Sequence, residues 1–131
     1  MTDRKLIEMA AEAMKNSYSP YSRFKVGAAI ECSDGSVYTG CNIENSAFGV
    51  TICAEKSAVS AAVTAGKRNF RRIAIISDGN NYCFPCGSCR QVLSEFSEDL
   101  ELLCSRSDER YVSYPLTALL PMSFGKKDIE R

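Results

Sequence analysis

A chain of 131 residues is shorter than an average domain of ~150, so one domain spanning residues 1–131 is expected. A core of that size removes roughly 68% of the unfolded surface from water and needs no disulfide staples. Sixteen Lys and Arg balance sixteen Asp and Glu, so no net field draws the chain to polynucleotides or anionic lipid, and a small neutral ligand or a protein partner fits better. Histidine is absent, which removes Ser-His and Cys-His nucleophile pairs and every imidazole metal ligand, leaving acid-base work to a carboxylate, Lys, Tyr or Cys.

Along residues 2–16, Leu6, Met9, Ala10, Ala13 and Met14 recur at helical spacing behind a Thr2 cap, predicting an amphipathic helix. The stretch 17–23, with Pro20, ends it. Phe24, Val26, Ala28 and Ile30 then alternate, Asp34-Gly35 supplies a tight turn, and 37–43 returns as the second strand of a hairpin. Residues 53–65 are rich in Ala, Val and Ser with Gly66 just beyond, the pattern of a helix packed closely on a sheet. A short apolar run at 73–77 reads as an interior strand. It leads through a Gly-Asn-Asn loop to a helix at about 86–96 and a strand at 100–104, a parallel crossover. An edge strand at 111–114, a brief helix at 115–120 and an irregular tail complete a mixed α/β domain. No apolar run approaches the ~20 residues of a membrane span, and no charged-then-apolar leader opens the chain.

Seven cysteines, an odd number, argue against a secreted disulfide scaffold and for reduced thiols in a cytoplasmic protein. Three of them carry chemistry. Cys86 and Cys89 stand in Pro-Cys-Gly-Ser-Cys at one helix start, and Cys53 begins another, two residues before Glu55. Helix N-termini favour thiolates through free N–H groups and the helix dipole, so two of them at one sheet edge suit a zinc ion. Three thiolates leave its fourth tetrahedral position open, as in catalytic sites. Cys83 extends the run to C-x-x-C-x-x-C, which keeps open a closed four-cysteine site. An iron–sulfur run would need its next cysteine where Leu93 stands. A thiol–disulfide oxidoreductase would also use Cys86 and Cys89, but gives Cys53 and Glu55 no task. Cys32, Cys41 and Cys104 fall in strand patterns and read as small core residues.

The combination Cys53-Ala54-Glu55 with Pro85-Cys86-Gly87-Ser88-Cys89-Arg90-Gln91 resembles the zinc-dependent cytidine deaminases. Phe24-Lys25-Val26-Gly27-Ala28-Ala29, Asn42-Ile43-Glu44-Asn45, Leu119-Leu120-Pro121 and Phe124-Gly125 extend the likeness over nearly the whole chain. The resemblance implies a three-layer α-β-α fold with a five-stranded mixed sheet, and a homotetramer with shared active sites. It further implies one Zn²⁺ per chain on Cys53, Cys86 and Cys89, and hydrolytic deamination of cytidine and 2′-deoxycytidine by activated water in pyrimidine salvage. Glu55 would carry the protons. Phe24, Asn42, Glu44, Ala54 and, from a neighbouring subunit, Phe124 would surround the nucleoside, with Asn42 and Glu44 on the ribose 3′-hydroxyl. The family's common Arg after the catalytic Glu is Lys56 here, and its Ala-Ser-Tyr after Asn45 is Ser46-Ala47-Phe48. Lys56 and Arg90 would be the cations offsetting the excess charge of three thiolates on one zinc.

Three further readings share parts of this pattern. A polynucleotide-editing deaminase needs a basic stripe with exposed aromatics, and Lys67-Arg68 with Arg71-Arg72 is the only basic cluster. A deaminase of another aminated pyrimidine nucleoside is nearer, with Asn42 and Glu44 as the features against it. A metal-stabilised binding module is the most distant of the three.

Overall fold

The Thr2 hydroxyl accepts the N–H of Lys5 at 3.1 Å, satisfying one of the donors that a helix start leaves without a partner. Behind it the computed structural model, which describes residues 1–130, forms α1 (Asp3–Met14) with Leu6, Ile7 and Ala10 on its buried stripe. Strands β1 (Val26–Cys32) and β2 (Val37–Cys41) follow as the expected hairpin. Its turn works because Gly35 takes a φ of 89°, a left-handed conformation that costs glycine nothing, while Asp34 accepts the Ser36 N–H at 3.0 Å.

A short 3₁₀ turn (Phe48–Val50) precedes α2 (Ala54–Thr64), β3 (Phe70–Ser77), α3 (Gly87–Ser94), β4 (Glu101–Ser105), β5 (Tyr111–Pro115) and α4 (Leu116–Leu119). The strands make one sheet in the order β2-β1-β3-β4-β5, with only β3 and β4 parallel. That parallel pair is joined through α3, as the sequence predicts. Strand β3 begins at Phe70, three residues before the expected start at 73, because Phe70 and Arg72 pair with Cys32 and Glu31 of β1.

Side chains alternate across the sheet and load both faces. Ala29, Ala74, Ile76 and Leu103 meet Leu6, Ile7 and Ala10 of α1. Ala28, Ile30, Ile73, Ile75 and Leu102 meet Ala54, Ala58 and Ala62 of α2 and Leu93 of α3. The result is three layers, with each fully buried Leu or Ile contributing ~1.5–3 kcal/mol relative to exposure.

Topology decides where a site can form. Because β1 runs antiparallel to both β2 and β3, the C-terminal ends of β2 and β3 share one sheet edge with the start of β1. Three segments therefore converge there: 17–25 entering β1, 42–53 leaving β2 and 78–86 leaving β3.

Candidate active site

Cys53 and Cys86 occupy the N-cap positions of α2 and α3, both with extended backbone and neither using its side chain as a cap. The carbonyl oxygens enter the helices instead, accepting from the N–H groups of Ser57 and Arg90 at 3.0 Å each. A cysteine in place of the usual Ser or Asp thus leaves its sulfur free at the positive end of a helix. Cys89 lies one turn into α3 and is buried. All three Sγ atoms lie within 4.8 Å of one another, and they form the metal-competent group found among the described residues. Tetrahedral zinc at ~2.3 Å from sulfur needs sulfurs about 3.8 Å apart, so the three fit such an ion with small side-chain adjustments. Cys83 is outside the group: it faces Ser77, and burial pushes its thiol up to about 12.

The trio is electrostatically uneven. Hydrogen bonding from the Cys89 thiol, aided by Cys86 and by the charge of Lys56, holds Cys53 below the ordinary thiol range, although burial opposes this. The same contacts, with burial, push Cys89 up. Glu55, in the first turn of α2, is 5% exposed. Burial is the main reason its carboxyl rises to about 7, with the neighbouring Cys53 adding to the shift and Cys89 and Lys56 opposing it. Ala54 between them is fully buried. Lys56 is half-buried. Arg90, expected to be a cation for the sulfurs, donates to the carbonyls of Pro85 at 2.9 Å and Leu119 at 3.0 Å, tying the turn before Cys86 to α4.

The second part of the edge is polar. Residues 42–44 run extended between Tyr18 and Ile52: Tyr18 N–H donates to the Asn42 carbonyl at 3.0 Å, Glu44 N–H to the Tyr18 carbonyl at 2.8 Å, and Ile43 and Ile52 exchange two bonds of 2.9 Å. Extended backbone puts Asn42 and Glu44 on one face, and the Ile43–Ile52 pair brings that face close in sequence to Cys53. The Asn42 amide is buried; its Oδ1 accepts from Val26 N–H at 3.0 Å and from the Ser17 hydroxyl, and its Nδ2 donates to the Phe24 carbonyl at 2.8 Å. Glu44 accepts the N–H groups of Tyr21 and Ser22 at 2.9 and 3.1 Å and the Ser22 hydroxyl. That hydroxyl is the main reason the carboxyl is held below its usual range. A cleft of ≈ 370 Å³ lies against Tyr21, Ser22, Glu44, Phe48 and Thr51.

Phe24 is 46% exposed rather than a core residue. Its ring lies over Gly79, where a Cβ would come within 3.3 Å of Cε1. The backbone is pinned from both sides, by Asn42 at its carbonyl and by the Ser22 Oγ, which accepts its N–H at 3.0 Å. The fold between Ser22 and Phe24 requires Arg23 at a φ of 59°, a left-handed conformation uncommon outside glycine. Phe124 is 62% exposed in the C-terminal tail, whose carbonyl at that residue accepts from Gln91 of α3 at 2.9 Å. Ser17 and Ser22 are contributors that sequence reasoning passed over, and Gln91, quoted with the cysteine motif, had no role assigned there. The serines read there as the polar residues ending α1.

The family model described as the cytidine and deoxycytidylate deaminase zinc-binding region matches residues 1–102. A cytidine deaminase of Sporosarcina psychrophila is 42% identical over 132 residues, covering 98% of this chain and 96% of its own. One from Halalkalibacterium halodurans is 38% identical, with 98% of each chain covered. Among solved structures, the cytidine deaminase of Burkholderia pseudomallei superposes with a TM-score of 0.92 at 40% identity, covering 95% of this chain and 100% of that one. The fold, the three converging cysteines and these likenesses together place the chain in the zinc-binding cytidine and deoxycytidylate deaminase family.

Proposed function

We propose that the chain hydrolytically deaminates cytidine and 2′-deoxycytidine to the corresponding uridines, releasing ammonia, with Cys53, Cys86 and Cys89 holding one zinc ion. The observation that carries this reading is the group of three sulfurs within 4.8 Å at the start of the helix that also buries the Glu55 carboxyl. When bound, zinc supplies Lewis acidity and brings the pKa of water at its open position from 15.7 to roughly 7.

This chain's own residues do the rest. Glu55 takes one proton of the attacking water on its carboxylate and passes it to ring N3, then takes the proton of the new C4 hydroxyl and passes it to the departing amine, so that the C4–N bond breaks as the C4 carbonyl forms. Its burial matters because a group titrating near the working pH can both accept and give back a proton. Lys56 supplies positive charge beside the thiolates, and Arg90 holds the Pro85 turn that presents Cys86. Phe24 and the Ala54 backbone contact the base, while Asn42 and Glu44 hold the sugar.

Phe48 and Val50 of the 3₁₀ turn are 71% and 61% exposed, and Met122 and Phe124 of the C-terminal tail 100% and 62%. That supports self-association as a homotetramer in which Phe124 completes a neighbour's base pocket. Among the described residues no helix is long and apolar enough to cross a membrane. The likeness to cytidine deaminases and the balanced charge of the chain support a cytoplasmic enzyme of pyrimidine salvage that acts on nucleosides and not on nucleic acid.

Ammonia release from cytidine, 2′-deoxycytidine, cytosine and single-stranded DNA, with zinc measured on the same sample, tests the reading. Turnover of the two nucleosides only, at about one zinc per chain, is expected from one open three-thiolate site. Zinc-free protein that reduces a disulfide substrate would favour the oxidoreductase alternative.

A further inference from the structure

We propose that Ser22 and Ser17 are positioning residues that give the Glu44–Asn42 pair a fixed hydrogen-bond polarity, one open acceptor beside one open donor, and so make it a reader of a sugar hydroxyl. The inference rests on the reading above that Asn42 and Glu44 face the sugar, and goes on to name what sets their selectivity.

The polarity follows from counting hydrogens and lone pairs. An amide oxygen has two acceptor sites and an amide nitrogen two hydrogens. The Asn42 Oδ1 is filled by Val26 N–H and the Ser17 hydroxyl, and one Nδ2 hydrogen is taken by the Phe24 carbonyl. One N–H donor remains. Flipping the amide would set Nδ2 against the Val26 N–H, so the backbone fixes its sense. Glu44 Oε1 is filled by the N–H groups of Tyr21 and Ser22, and Oε2 receives the Ser22 hydroxyl. One lone pair remains on Oε2.

The direction of the Ser22 hydroxyl is itself determined. Its oxygen accepts the Phe24 N–H at 3.0 Å, and its single proton therefore goes to Glu44. Ser17 has the same arrangement: its Oγ lies 3.1 Å from the Ser19 hydroxyl, which can donate to it while Ser17 donates to Asn42. A hydroxyl is the group that accepts from one neighbour and donates to the other through a single atom. An ionised phosphate ester has no proton for Glu44 and meets its negative charge, and a sugar lacking the hydroxyl leaves both groups unpaired.

Without Ser22 the carboxylate keeps its charge but gains a second open lone pair and the freedom to turn about its remaining contacts. Without Ser17 the amide oxygen opens toward the sugar as a competing acceptor. Both losses weaken selectivity for the hydroxyl in particular, whereas a merely structural role would lower activity on every substrate alike.

The experiment compares kcat/KM for 2′-deoxycytidine and 2′,3′-dideoxycytidine on the zinc-loaded protein, with zinc content and thermal unfolding followed for each variant. The unsubstituted protein should prefer the 3′-hydroxyl by at least about a hundredfold, since its absence strands two polar groups. Ser22→Ala should cut that preference about tenfold, the worth of one charge-assisted bond, through a higher KM for 2′-deoxycytidine, and Ser22→Thr should restore it. Ser17→Ala should move the same ratio by a smaller factor and keeps the proposal testable if Ser22→Ala does not fold. A ratio unchanged in both alanine variants, but collapsed in Asn42→Ala and Glu44→Ala, would overturn the proposal and leave the sugar reading standing. A ratio near one in the unsubstituted protein would instead remove the sugar reading, and the proposal with it.

Discussion

Glu55 shows how one position can be chemically demanding and still readable. A carboxylate two residues after a cysteine at a helix start, in a chain without histidine, is a strong indication of a proton carrier, and the fold buries it. Glu55→Gln retains the shape and a hydrogen-bond acceptor but cannot take a proton. It should keep zinc content and thermal midpoint while turnover falls at least ~100-fold, the low end for a general base; steady-state rates and metal analysis on one preparation check this. The cysteines were legible because residue type and spacing carried the chemistry. Ser17, Ser22 and Gln91 were not, because their part depends on which backbone groups they reach. Ser22 meets Glu44 22 positions away, and Gln91 meets the Phe124 carbonyl 33 positions away, distances along the chain for which sequence periodicity has no signal. Arg90 was noticed for its charge, whereas its contacts with the Pro85 and Leu119 carbonyls depend on the shape of its guanidinium.

Elements were more legible than contacts. Alternation gave the hairpin, helical spacing gave α1, and an Ala-, Val- and Ser-rich run closed by Gly66 gave α2; β1 is in fact buried on both faces. The start of β3 was missed because Arg71 and Arg72 interrupt its apolar run, and a paired arginine cannot be told from a solvated one along the chain. The closeness of helix to sheet depends on two glycines. A Cβ at Gly40 would lie 2.4 Å from the Ala58 nitrogen and 2.8 Å from the Ala54 carbonyl, so Gly40 lets α2 lie against β2. On the opposite face, a Cβ at Gly27 would lie 2.1 Å from the Ala10 carbonyl of α1. Either Gly→Ala change should lower stability by ~1–3 kcal/mol, as overpacking does. The two should differ at the metal. Gly40→Ala displaces the helix that begins at Cys53, so zinc should leave faster to a chelator, whereas Gly27→Ala should lower the thermal midpoint with little change in zinc loss. Equal zinc loss from both would mean that general loosening, not the seat of α2, controls the site.

At the scale of the molecule, the balanced charge conceals a local cluster that joins four elements. Arg72 of β3 bonds Glu31 of β1 at 2.8 Å, Asp3 of α1, and the Met1 carbonyl at 2.7 Å, while Tyr111 of β5 donates to Asp3 at 2.9 Å. Glu31 is 2% exposed, so the ion pair sits between α1 and the sheet on the face away from the three sulfurs. The hydrogen bond from Arg72 outweighs burial and holds the Glu31 carboxyl below its ordinary 4.5. With the folded value below the unfolded one, the folded state binds fewer protons in this range. Its contribution is therefore present in full above pH ~4.5 and is lost as pH falls through the lower, folded value. Glu31→Gln should remove that acid dependence. At neutral pH it should cost about 3 kcal/mol, the low end for breaking a buried pair, because Asp3 and the Met1 carbonyl still hold the guanidinium. Urea unfolding of both proteins at pH 7 and at pH 4 measures the effect, and the gap between them should narrow on acidification. A gap that stays constant would place the acid sensitivity in other carboxylates and leave Glu31 a packing role alone.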